Sequence, residues 1–122
     1  MAKIGQFVSA VIPFSEDDGR YKVRPVFILG KTKAANGETV YIAAPRFSAT
    51  EKCRGDVEVV MNESDSITVG LTKAAVVRFS KESLVAFLEK DIQNEWGNYS
   101  KLPSRVQTSL ENAAKSVRFP LR

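Results

Sequence analysis

Tyr21-Lys22-Val23-Arg24-Pro25-Val26-Phe27-Ile28-Leu29 is a run of β-forming residues closed by Gly30, and it decides the fold. Tyr21 to Leu29 reads as a strand apolar on both faces, the pattern of a buried strand. Pro25 locks φ and carries no N–H, so the strand has a defined geometry where the apolar run begins. Upstream, residues 4–13 read as a second strand with Phe7, Ser9 and Val11 on one face and Val8, Ala10 and Ile12 on the other. Pro13-Phe14 ends it, and the acidic stretch Ser15-Glu16-Asp17-Asp18-Gly19-Arg20 links the two strands.

Downstream, Asn36-Gly37 is a hairpin signal leading into a strand over 39–44. A polar loop covers 46–55, and residues 56–61 then alternate, placing Val57, Val59 and Met61 inward. A turn is expected at 62–65, with two further short strands over 67–71 and 74–79. Helices are expected only after that. Ser80 is a candidate N-cap for a helix carrying Leu84, Phe87, Leu88, Ile92 and Trp96 and stopping at Gly97. A second helix follows Pro103 with the stripe Val106, Leu110, Ala113 and Val117, and Pro120 lies beyond its end. The expectation is one domain over 1–122 of α+β class, mainly β: a small barrel of curled antiparallel strands over about 3–79, covered by a helical C-terminal part over about 80–118.

Composition narrows the chemistry. The chain has no histidine, which removes serine and cysteine triads, imidazole acid–base catalysis and most zinc sites. A net charge of +4, from 18 basic and 14 acidic residues, is a mild bias toward an anionic partner. Cys53 alone cannot make an intrachain disulfide. No apolar run approaches the roughly 20 residues of a membrane span, and the first residues lack the apolar core of a signal peptide, so a cytoplasmic location with no membrane association is expected. Walker, dinucleotide-binding, Cys-x-x-Cys and EF-hand patterns are absent, and no cofactor or metal is expected.

Three blocks carry a resemblance. Ile4-Gly5-Gln6-Phe7-Val8 with Lys22-Val23-Arg24-Pro25 and its apolar strand resembles the signature of the MazF/PemK (Kid) toxins. Val40-Tyr41-Ile42-Ala43-Ala44-Pro45-Arg46-Phe47-Ser48 is similar to the strand end beside that family's active site, and Gly70-Leu71-Thr72-Lys73-Ala74-Ala75-Val76-Val77-Arg78-Phe79 to its G-L-x-K-x-S-V-V-R strand. The likeness covers about residues 4–90, in order. It implies an SH3-like barrel, a homodimer, a cognate antitoxin, and metal-independent endoribonuclease activity on single-stranded RNA. In that reaction the ribose 2′-hydroxyl attacks the adjacent phosphate, leaving a 2′,3′-cyclic phosphate and a 5′-hydroxyl.

On that resemblance Arg24 is the first catalytic candidate, since a guanidinium offers fixed, forked donors to a phosphate gaining charge. A surface arginine paired with Glu16 or Asp17 is the structural alternative. Ser48 is the candidate hydroxyl, although the family's threonine position, two residues after the proline, holds Phe47; Ser48 takes over that role only where the strand ends or bulges. Ala75 stands where family members often have serine or an acid. Lys22, Arg46, Lys52, Arg54 and Lys73 are expected to form a basic groove, most acidic residues, Glu58 among them, lying elsewhere, with Phe47 and Tyr21 stacking on bases. The alternative is a catalytically degenerate relative, of host or phage origin, acting as a nucleic-acid- or protein-binding inhibitor; CcdB, which poisons DNA gyrase, is the analogy, and Phe47 and Ala75 favour it.

Overall fold

A computed structural model describes residues 1–13, 21–48 and 57–121. Its elements run β1 (Gln6–Pro13), β2 (Tyr21–Lys33), β3 (Thr39–Ser48), β4 (Val57–Met61), α1 (Glu63–Thr68), β5 (Ala75–Phe79), β6 (Val85–Leu88), β7 (Ile92–Asn98) and α2 (Ser104–Ser116). The class is α+β, mainly β. The strands pair antiparallel in the order β4-β5-β3-β2-β1-β7, and β6 adds to β3. β3 serves two partners in succession: Val40 to Ala43 face β6, and Arg46 to Ser48 face β5. β1 and β6, separated by β2 and β3 in the sheet, come into contact, so the sheet is strongly curled.

Alternation along β1, β2 and β3 divides the interior into two cores. Phe7, Phe27, Leu29 and Ala44 point to one side, where Val59, Met61, Val77 and Phe79 join them under Val106, Leu110, Ala113, Ala114 and Val117 of α2. Phe27 meets Phe7, Phe79 and Tyr99 at ring-centroid distances of 4.8, 6.2 and 5.9 Å. The opposite side carries Val8, Ala10, Ile12, Val26, Ile28, Tyr41, Ala43 and Phe87. The expected two-faced burial of the central strand is thus what the fold uses. The Asn36-Gly37 hairpin also forms: Gly37 takes φ +86°, which the turn requires and a side chain would resist.

Three expectations are corrected. Residues 67–71 are not a strand, because Asn62 and Asp65 form a reciprocal capping box that nucleates α1: Asp65 N–H donates to Asn62 Oδ1 at 2.8 Å, and Asn62 N–H to Asp65 Oδ2 at 3.4 Å. The helix expected over about 80–97 is replaced by β6, a 3-10 turn at Glu89–Asp91, and β7. Ser80 does cap a turn, its Oγ accepting from Ser83 N–H at 3.2 Å, but the turn does not propagate. Val85 to Leu88 instead pair with Val40 to Ala43, and Phe87 stacks on Tyr41 at 5.7 Å, so the helical C-terminal part begins only at Ser104. Finally, Val59 and Met61 point inward as expected, whereas Val57 at the start of β4 is 44% exposed.

Candidate nucleic-acid interface

The face opposite α2 continues past its apolar core toward the ends of β2 and β3. Val26 pairs with Pro45, and Arg24 and Phe47 each lie two residues beyond that pair, on the same faces of β2 and β3 as Val26 and Pro45. On β5, Val76 pairs with Phe47, and Arg78 lies two residues on, on the same face as Val76. Across β5, Arg78 pairs with Glu58 of β4. Four strands therefore deliver Arg24, Phe47, Arg78 and Glu58 to one surface.

Their side chains interlock there. The Arg24 guanidinium carbon lies 5.4 Å from the Phe47 ring centroid, and that of Arg78 lies 4.5 Å away, both within cation–π range. Arg78 Nη2 stands 3.5 Å from Glu58 Oε1, with the two side chains 13% and 8% exposed. The pair is screened from water, and Glu58 offsets one of the two arginine charges. Arg24 and Phe47 are half-buried, so the cluster's outer side meets solvent. Lys22, two residues before Arg24 on β2, is exposed on the same face.

Arg46 goes elsewhere. It pairs with Val77, whose side chain lies in the core under α2, and period-2 alternation turns it away from Phe47. Its guanidinium donates to the Lys73 carbonyl, burial holds its pKa below the usual arginine value, and among the described residues its buried Nε has no hydrogen-bond partner. Arg46 is a structural strut between β3 and the loop before β5. Lys73 is exposed there. Ser48 is the last residue of β3, and the pairs Arg46 with Val77, Phe47 with Val76 and Ser48 with Ala75 run without a bulge. Ala75 is buried. Lys52 and Arg54 lie outside the described residues, as do Glu16 and Asp17.

Two members of the cluster were not singled out from sequence. Arg78 closes the third sequence block, and strand parity with Phe47 was available to identify it. Glu58, expected to lie away from the basic residues, sits against one of them because β4 and β5 pair in that register.

A curled antiparallel sheet with a C-terminal helix on one face and arginines on the other has the fold of the MazF toxins. The Mycobacterium tuberculosis toxin MazF-mt6 matches it over 90% of this chain and 94% of that chain, with a TM-score of 0.52 and 19% sequence identity. No family model matches the sequence, and no curated protein does. Among the described residues no helix is long and apolar enough to cross a membrane.

Proposed function

We propose that the chain is a toxin-type endoribonuclease that cleaves single-stranded RNA by transesterification. The observation that carries this reading is the convergence of Arg24 and Arg78 over Phe47 on the open face of a MazF fold. When the 2′-oxygen attacks phosphorus, charge builds on the equatorial oxygens, and two guanidiniums supply donors that need not titrate. The 2′-hydroxyl loses its proton, the 5′-oxygen departs and gains one, and a 2′,3′-cyclic phosphate remains. Arg24 is the principal stabilising group, and Arg78 supports it. Lys22 and Lys73, both exposed, are the proposed contacts to the RNA backbone. The working form is a cytoplasmic homodimer, neutralised by an acidic antitoxin.

The test is incubation of the purified chain with single-stranded RNA in EDTA. Wild type is expected to yield cyclic-phosphate ends, and Arg24→Ala to lose roughly 100-fold or more in rate. No cleavage by wild type at micromolar concentration overturns the reading. A second reading, binding without cleavage, is favoured by two observations: a phenylalanine ring lies against both arginines, and the neighbouring strand offers buried Ala75 rather than a polar side chain. A stoichiometric protein captured from bacterial lysate without RNA supports a protein-binding inhibitor, and recovery of RNA without any protein counts against it.

A further inference from the structure

We infer that Phe47 is a positioning residue: its ring is the shelf that holds the Arg24 and Arg78 guanidiniums side by side for an RNA phosphate. The inference rests on reading this face as a phosphate-binding surface. Two like charges brought to one patch repel each other, and long arginine side chains are costly to order. Phe47 answers both problems. Its π face attracts each cation, at 5.4 and 4.5 Å from the ring centroid. Its backbone is fixed in β3 by pairing with Val76, leaving two side-chain torsions to settle.

The same geometry argues against Phe47 as a platform for a stacked base. A base entering that ring would have to displace a guanidinium, removing the donor that the phosphate needs. Phe47 therefore acts through the two arginines. Glu58 steadies Arg78 from β4, so Arg78 is held on two sides.

Phe47→Leu tests this directly, since leucine keeps an apolar side chain of similar bulk and removes the π face. Two measurements are made on the folded protein. In NMR spectra, the Nε–Hε resonances of Arg24 and Arg78 carry ring-current shifts in wild type and are expected to move toward unstructured positions in Phe47→Leu; unchanged resonances overturn the inference. Affinity is then read with single-stranded 2′-O-methyl RNA, which cannot be cleaved by 2′-hydroxyl attack. Phe47→Leu is expected to weaken binding about tenfold, and Phe47→Trp to remain within about threefold of wild type. Equal affinity in wild type and Phe47→Leu, or equal loss in Phe47→Leu and Phe47→Trp, overturns the inference. Where Phe47→Leu fails to fold, Phe47→Met takes its place in both measurements. Failure of wild type to bind RNA sinks the functional reading alone, and the arginine resonances still decide whether Phe47 positions them.

Discussion

Replacing Glu58 by glutamine should weaken the fold and strengthen anion binding at once. The pair it forms with Arg78 is 8% and 13% exposed, so solvent screening is slight. At the observed 3.5 Å and an effective dielectric constant near 20, the Coulomb attraction is about 5 kcal/mol, which sets a ceiling. Three features lower the net effect. Glu58 Oε1 lies in ion-pair range without hydrogen-bond geometry, glutamine keeps a carbonyl dipole there, and Arg78 retains the face of Phe47. A loss of about 2–3 kcal/mol is expected, at the low end for breaking a buried pair. In a domain of this size that corresponds to a fall of roughly 8–12 °C in Tm. Urea unfolding of wild type, Glu58→Gln, Arg78→Met and the double variant gives the coupling directly, expected at about 1–3 kcal/mol. Binding should respond in the opposite direction, because the site gains one net positive charge beside Arg24. The salt dependence of single-stranded RNA affinity should steepen by about 0.7 in log–log slope if that charge engages one further phosphate. Stability within about 0.5 kcal/mol of wild type would refute the argument, as would weaker RNA binding by the folded variant.

Tyr41 gives a pH-dependent prediction: burial, then the nearby Glu89 carboxylate, raises its pKa above the usual 10.0, and its hydroxyl donates to Glu89 Oε1 at 3.2 Å. The contribution is fully present below pH 10.0 and is lost as pH rises through the folded-state value, so the stability gap between wild type and Tyr41→Phe, about 1 kcal/mol at neutral pH, should close on moving from pH 9 to pH 11. Urea midpoints that keep a constant gap over that range would contradict it. Leu110→Ala, at a fully buried position under the sheet, should cost about 3 kcal/mol in urea unfolding. RNA affinity of the still-folded fraction should be unchanged, since Leu110 belongs to the core on the far side from Arg24.

The first strands were legible because their signals are local: alternation in β1 and β4, the doubly apolar run of β2, and Asn36-Gly37 at the hairpin. α2 was legible for the same reason, with Val106, Leu110, Ala113 and Val117 forming one stripe. The region from Leu84 to Trp96 was not, because its apolar residues fit a helical period while long-range pairing decides the outcome. Phe87 is buried against Tyr41 from β3, more than 40 residues away in sequence, and that contact has no local signature. α1 was hidden differently: Asn62 and Asp65 were visible, but a turn and a capping box share the same residues. At the site, the family resemblance pointed to Arg24. Its association with Phe47, Arg78 and Glu58 depends on the register of four strands, which no single strand encodes.

β3 makes the consequence plain. Pro45, Arg46 and Phe47 are consecutive, yet alternation sends Arg46 toward the core beneath α2 and Phe47 to the open face. A basic residue near a motif is therefore not by that fact a ligand for RNA. Arg46 donates to the Lys73 carbonyl and is partly desolvated, which fits a strut, whereas Arg24 and Arg78 meet the Phe47 ring on the opposite face. The same strand thus joins the two functions of the fold: its even-numbered positions around Ala44 and Arg46 hold the sheet to the helix-covered core, and its odd-numbered position at Phe47 arranges the cations. A one-residue slip of β3 against β5 would exchange these roles, placing Phe47 against the α2 core and removing the shelf from the arginines.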